Sequence, residues 1–264
     1  REPIGEDGPM DAPAVDPELL AFATEIVRRA GEFTLTHFRS TELHIERKDD
    51  GSPVTIADKG AEQMLRDDIA ARFPDDAILG EEHGEDDGTS GRRWIIDPID
   101  GTEAFTHGVG LYSNLLYLED EHGPAVGVIN VPALGEIVYA GRGLGCFLNG
   151  LTCSVSDTGA VAGSLLTTCS YNYWDPDMLL RLRHSGLRMK TWGDGFGYML
   201  VASGRAEAMV DPVIKIWDIA PCRVIIPEAG GRFTALDGSD DRERGDAIAT
   251  NGILHDEIVA ILAG

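Results

Sequence analysis

Two aspartates, Asp97 and Asp100, stand in the run Asp97-Pro98-Ile99-Asp100-Gly101-Thr102, directly after the apolar Trp94-Ile95-Ile96. Such a short apolar run reads as a buried strand that delivers Asp97 to its end, with Pro98 stiffening the turn beyond. Carboxylates this close repel one another, and one pKa rises unless a cation lies between them. Oxygen donors without His or Cys select Mg²⁺, Mn²⁺ or Ca²⁺ over zinc or copper. Gly101 offers a backbone that an anion can approach closely, and Thr102 adds a hydroxyl and an N–H at the start of a helix. Taken alone, the run is also an ordinary acidic turn, because Asp-Pro and Asp-Gly pairs are common in turns.

Three further acids bear on that turn. Glu81 in Leu79-Gly80-Glu81-Glu82 and Asp218 in Ile216-Trp217-Asp218 each follow a short apolar run, and Asp58 closes Thr55-Ile56-Ala57-Asp58. Each has a plainer reading: Glu81 opens a solvated acidic loop, Asp218 caps a helix, and Asp58 completes a capping box with Thr55. Lys48 reads equally as one charge of the solvated stretch 46–50 or as a basic neighbour of the site. His83, His107 and His255 have no partner at metal-ligand spacing and read as surface histidines.

The elements that must position these residues are legible in outline. Asp16-Pro17 reads as an N-cap and first helical position, and Leu19, Phe22, Ile26, Ala30 and Phe33 recur behind it at helical spacing. A second helix follows Thr55, with Ala61, Met64, Leu65 and Ile69 inward and Phe73-Pro74-Asp75 as its stop. Runs at 94–96, 115–118, 125–131, 136–140 and 165–169 predict a mostly β middle. The pattern then predicts a helix over 196–202, a strand over 208–210, a helix after Trp217-Asp218, a strand over 232–234 and a closing helix near 256–262. Helices first, strands next and mixed units last describe an α+β or layered α/β/α protein.

With 264 residues, 43% of them hydrophobic, the chain can bury one full core, read as a single domain over 16–264. Residues 1–15, rich in Pro, Gly and acids, predict a disordered or appended tail. The balance of 22 basic against 45 acidic residues, a net of −23, disfavours a nucleic-acid polymer as partner. It would also repel any anionic substrate unless divalent cations sat between. Cys146, Cys153, Cys169 and Cys222 lack zinc or redox spacing and read as small buried thiols. No apolar stretch approaches the ~20 residues of a membrane span, so no membrane partner and a soluble cytoplasmic location are expected.

These motifs together resemble the inositol monophosphatase superfamily. Its signatures stand here as Gly80-Glu81-Glu82, Trp94-Ile95-Ile96-Asp97-Pro98-Ile99-Asp100-Gly101-Thr102, and Trp217-Asp218 followed by Glu228-Ala229-Gly230-Gly231, with Pro53-Val54-Thr55 and Asp58 fitting as well. The resemblance implies a layered αβαβα sandwich of the inositol monophosphatase and fructose bisphosphatase type. The metal site would fall in the half up to about residue 150 and the substrate side in the half after it. It further implies an Mg²⁺-dependent phosphomonoesterase, Mn²⁺ being an alternative, with two or three metals per site and a water nucleophile. Glu81, Asp97 and the Ile99 carbonyl would hold one metal, Asp97, Asp100 and Asp218 the second, and Glu81 a looser third. Gly101 and Thr102 N–H groups would bind phosphate, and Thr102 with Asp58 would orient and help deprotonate the water. A homodimer is the family's habit.

For the substrate, a small phosphate ester, the resemblance points to Asp211, seven residues before Asp218, as a contact for the alcohol portion. Trp192-Gly193-Asp194-Gly195, Asp211-Pro212-Val213 and the ending Thr250-Asn251-Gly252-Ile253-Leu254-His255-Asp256 resemble the histidinol-phosphate phosphatase branch. Asp194 and Asp211 would suit a cationic amine, while Asp194 reads equally as a helix N-cap and Trp192 as core packing or a substrate platform. Glu103-Ala104 departs from the Lys-Asn or Thr-Asn of many relatives. Inositol, sugar or fructose bisphosphate and nucleotide 3′-phosphate esters are the alternatives. A non-catalytic metal-binding regulator is the alternative of a different class.

Overall fold

A computed structural model describes residues 12–41, 43–48, 51–241 and 244–264. Helix α1 (Pro17–His37) begins as its residues dictate: the Asp16 carboxylate accepts the Glu18 N–H and Pro17 occupies the first turn. A short hairpin, β1 (Ile45–Arg47) and β2 (Pro53–Thr55), leads into α2 (Ile56–Arg72), which starts on the Thr55/Asp58 capping box and stops ahead of Phe73-Pro74. Next come β3 (Ala77–Gly80), β4 (Gly84–Asp86), β5 (Arg93–Asp100), the short α3 (Thr102–Thr106), β6 (Ser113–Asp120), β7 (Gly123–Val131), β8 (Glu136–Gly141), β9 (Gly145–Leu148) and β10 (Leu151–Thr152). The eight strands β3–β10 form one sheet in the order β10-β9-β8-β7-β6-β5-β3-β4. Only the β3/β5 pair within it is parallel.

The remainder is β11 (Leu165–Thr167), α4 (Pro176–His184), β12 (Arg188–Lys190), α5 (Asp194–Ala202), β13 (Ala208–Asp211), α6 (Ile216–Ile219), α7 (Cys222–Glu228), β14 (Arg232–Thr234), β15 (Ala247–Thr250) and α8 (His255–Ala263). Its five strands form a second sheet, β12-β11-β13-β15-β14. Side-chain alternation then fixes the layers. Trp94, Ile96, Leu116 and Leu118 pack under α1 and α2. Their neighbours Ile95, Leu115 and Tyr117 point the other way, into a core with α5, α7 and Met209 of the second sheet. Ala208, Val210 and Ile248 face away again, onto α4 and α8. The result is the expected α+β, layered αβαβα sandwich.

Several details depart from the sequence reading. Strand β5 does not stop at Ile96 but continues through Asp100, with a shift of register on the way. Helix α4 was not anticipated, although Asp175-Pro176 repeats the Asp16-Pro17 start signal. Strand β15 was missed because all four of its residues are buried and it shows no alternation. His255 is fully buried, its ring nitrogens bonded to Thr234 and Thr250 hydroxyls, not a surface histidine. Cys146 and Cys222 are buried as expected, whereas Cys169 is exposed and Cys153 only partly covered. Of the segment read as a tail, 1–11 lies outside the described residues. Pro13 accepts from Arg142 and Val15 is buried, so ordered chain precedes α1.

Candidate active site

Asp97 and Asp100 are an odd number of residues apart, and in a regular strand they would point to opposite faces. The register shows how both reach one face. Asp97 pairs with Leu115 and Asp100 with Ser113, so Pro98 and Ile99 together oppose the single residue Asn114. This is a β-bulge, and its extra residue turns Asp100 back to the α5 face. There Asp100 Oδ2 accepts from the Ser113 hydroxyl (2.8 Å) and the Gly195 N–H of α5. Asp97 takes the Ile99 N–H at 3.1 Å.

Asp218 arrives from the other side of the same core layer. It is the third residue of α6, not its cap, and accepts the Lys215 N–H at 2.9 Å. Oxygens of Asp97, Asp100 and Asp218 lie within 4.8 Å of one another. Burial, and then Glu81 and the neighbouring aspartates, raise Asp97 well above the usual carboxylate range; burial, Asp194 and Asp218 do the same to Asp100. Asp218 is pushed up to about 7 by burial and Glu81, against the lowering effect of the Lys215 N–H. Three hard oxygen donors forced together at this cost could hold a divalent metal.

Glu81 follows β3, whose parallel register sets Gly80 beside Ile96 and therefore Glu81 beside Asp97. Its carboxylate is not in the three-aspartate cluster; Lys48 Nζ holds it at 2.7 Å and Glu82 at 2.6 Å. Burial opposes the Lys48 charge, but these two carboxylates outweigh it and raise its pKa. Lys48 is thus the basic neighbour of the site. The loop is fixed from below by Glu62, fully buried, which accepts the Glu82 and His83 N–H groups and the Arg66 guanidinium.

Asp58 closes the capping box and also reaches the turn that follows β5. One oxygen takes the Thr55 N–H and hydroxyl (2.8 and 2.6 Å), and the other accepts the Thr102 hydroxyl at 3.3 Å. Thr102 Oγ1 also lies 2.9 Å from the Ile99 carbonyl. Burial raises the Asp58 pKa despite the Thr55 bonds. Gly101 caps α3 at φ 79°, and a Cβ there would fall 2.7 Å from Asp194 Oδ2. The turn requires glycine on both counts.

Asp194 is the first residue of α5, at φ 56°, while Gly193 occupies the cap position. Burial and the nearby Asp211 raise its pKa to about 6. Asp211 is only 2% exposed: the Cys169 N–H (3.2 Å) and the Tyr198 hydroxyl (2.8 Å) engage its two oxygens. It stands behind Asp194, not open beside it. Trp192 is 42% exposed with Lys190 over its ring, so it is not core packing. Sequence reasoning missed Ser113, Asn114, Glu62 and Cys169. A signal existed for the first three: polar residues opening an apolar strand run, and an acid on the apolar stripe of α2 four residues before Arg66.

The model of the inositol monophosphatase family matches residues 16–263. The chain belongs to that family. It is 45% identical over 216 residues to a histidinol-phosphatase of Chlorobaculum parvum, covering 80% of this chain and 83% of that protein. It is 38% identical to a histidinol-phosphatase of Mycobacterium tuberculosis, covering 92% and 97%. Among solved structures, a Thermotoga maritima IMPase superposes with a TM-score of 0.83 at 31% identity, covering 93% of this chain and 97% of that one. The protein is accordingly a phosphoric monoester hydrolase of a metal-dependent family, which sets aside the non-catalytic reading. None of its described helices is long and apolar enough to cross a membrane.

Proposed function

We propose that the protein hydrolyses histidinol phosphate, or a closely similar amine-bearing phosphate ester, with Mg²⁺. The observation that carries the amine is Asp194. It lies against Gly101, beside the turn that would take the phosphate, and Asp211 behind it has both oxygens engaged by protein donors. A partly buried acid in that position gains most from an opposite charge on the alcohol side. The names of the relatives at 45% and 38% identity agree with this reading.

Asp97, Asp100 and Asp218, with Glu81 and the Ile99 carbonyl, would hold Mg²⁺, two ions tightly and a third more loosely. Bound there, Mg²⁺ supplies a lowered pKa for water and a counter-charge for the phosphoryl group. The Gly101 and Thr102 N–H groups at the head of α3 would take phosphate oxygens. Thr102 Oγ1 orients the attacking water and accepts its proton as it passes its own to Asp58 Oδ1, the oxygen not committed to Thr55. A pKa raised by burial suits Asp58 to that proton. Asp194 would take the amine, with Trp192 as a platform at the rim and Asp211 as the backing charge.

Phosphate release from histidinol phosphate, inositol monophosphate, fructose bisphosphate and 3′-phosphoadenosine phosphate, each with Mg²⁺ and with chelator, tests the reading. Histidinol phosphate should be turned over fastest and chelation should abolish the rate. Faster release from a neutral polyol ester would overturn the substrate, and activity that survives chelation would overturn the metal.

A further inference from the structure

The bulge in β5 is what brings Asp97 and Asp100 to one face, and a bulge leaves backbone groups without ladder partners. Asn114 is the single residue of β6 opposite it. Its side chain is fully buried and its Nδ2 donates to the Pro98 carbonyl at 2.7 Å, inside the bulge itself. Pro98 has no N–H of its own with which to join the ladder. The other end of the Asn114 amide is also fixed: Oδ1 accepts from Nδ2 of Asn130 at 3.1 Å, and the two asparagines are cross-strand partners on β6 and β7. Gly31 of α1 lies directly over the pair. A Cβ there would fall 2.1 Å from Asn130 Nδ2 and 2.9 Å from Asn114 Oδ1, so the helix approaches this closely only because residue 31 has no side chain.

We propose that Asn114, backed by Asn130 and Gly31, is a positioning residue that holds the Pro98 carbonyl and thereby sets the separation of the Asp97 and Asp100 carboxylates for a divalent metal. The inference rests on the metal site proposed above. Neither asparagine touches the reacting atoms. Asn114 acts through the backbone between the two acids, and its neighbour Ser113 holds Asp100 directly. Three elements, α1, β6 and β7, are thus committed to the shape of one four-residue segment of β5.

The test uses the full chain, stripped of metal, with Mn²⁺ as the probe and free Mn²⁺ counted by electron paramagnetic resonance. Asn114→Leu keeps the branched shape, though not the volume, and removes both hydrogen bonds; its Mn²⁺ affinity should fall tenfold or more. The Mg²⁺ concentration for half-maximal phosphatase rate should rise by a similar factor, while KM for the ester at saturating Mg²⁺ stays within about twofold. Gly31→Ala and Asn130→Leu, which disturb only the backing, should show the same direction at a few fold and keep the test alive should Asn114→Leu fail to fold. Unchanged Mn²⁺ affinity in variants that merely melt earlier would overturn the inference and leave the metal site standing. A wild-type chain that binds no Mn²⁺ would overturn the metal site itself.

Discussion

The acids at the end of β5 and those beside α5 are both buried, but their surroundings differ in kind. Asp97, Asp100 and Asp218 face one another within 4.8 Å, and every donor they accept from among the described hydrogen bonds is neutral. Protein donors occupy both oxygens of Asp211, and Asp194 near it, lying against Gly101, has its pKa raised by burial and by that neighbouring acid. The first arrangement could hold a compact cation of high charge. In the second, Asp211 is satisfied within the protein, and the proposed reading gives Asp194 a singly charged organic group. On the proposed reading, grouping acids against acids and acids against donors would let one strongly anionic protein take two kinds of positive charge.

The sharpest way to break that comparison is Asp97→Asn. Turnover should fall by orders of magnitude, because Asp97 is the carboxylate assigned to both tightly held metals. The metal-free variant should melt higher than the metal-free wild type, since a buried like charge is gone while the Ile99 N–H keeps its acceptor. A near-normal rate at saturating Mg²⁺, or a lower melting point, would contradict that division between the two groups of acids. Next in size, Asp194→Asn should cost an amine-bearing ester about 10–100-fold in kcat/KM, the range of a charged hydrogen bond. A neutral sugar phosphate should be nearly untouched, and equal losses on both would remove Asp194 from recognition.

The smallest effect concerns pH. In the metal-free protein Asp218 and Asp194 sit at about 7 and about 6, against about 4 for a free aspartate. A raised folded pKa means that the native state binds more protons than the unfolded chain. Its stability is therefore complete near pH 4 and declines as pH rises to 7. Melting curves of metal-free protein should fall by a few degrees over that window, and saturating Mg²⁺ should flatten the fall. A metal-free melting point that rises across it would show that the clustered acids are not repelling one another.

Much of the metal-side geometry was legible because its signals are local. Asp16-Pro17 and the Thr55/Asp58 box start the two helices, and the apolar run at 94–96 marks β5. The acids Asp97, Asp100 and Asp218 that come together were legible too, each standing at the end of a short apolar run or in the turn just after one. The alcohol side was less so. Asp194 was as easily an N-cap, and only the packing of α5 against the β5 turn shows Gly193 in that position and Asp194 against Gly101. His255 and Cys169 were misjudged because exposure depends on which layer covers a residue, and single positions carry no trace of that.

By itself the sequence determined the helix starts and the acids that follow its short apolar runs, each of which is a property of a few neighbouring residues. Only the tertiary structure decided that Asp97 and Asp100 converge. Strand periodicity sends residues three apart to opposite faces, and their convergence depends on two residues of β5 facing one of β6. That register is set by pairing between strands and by the Asn114, Asn130 and Gly31 contacts around it, partners that lie far away along the chain.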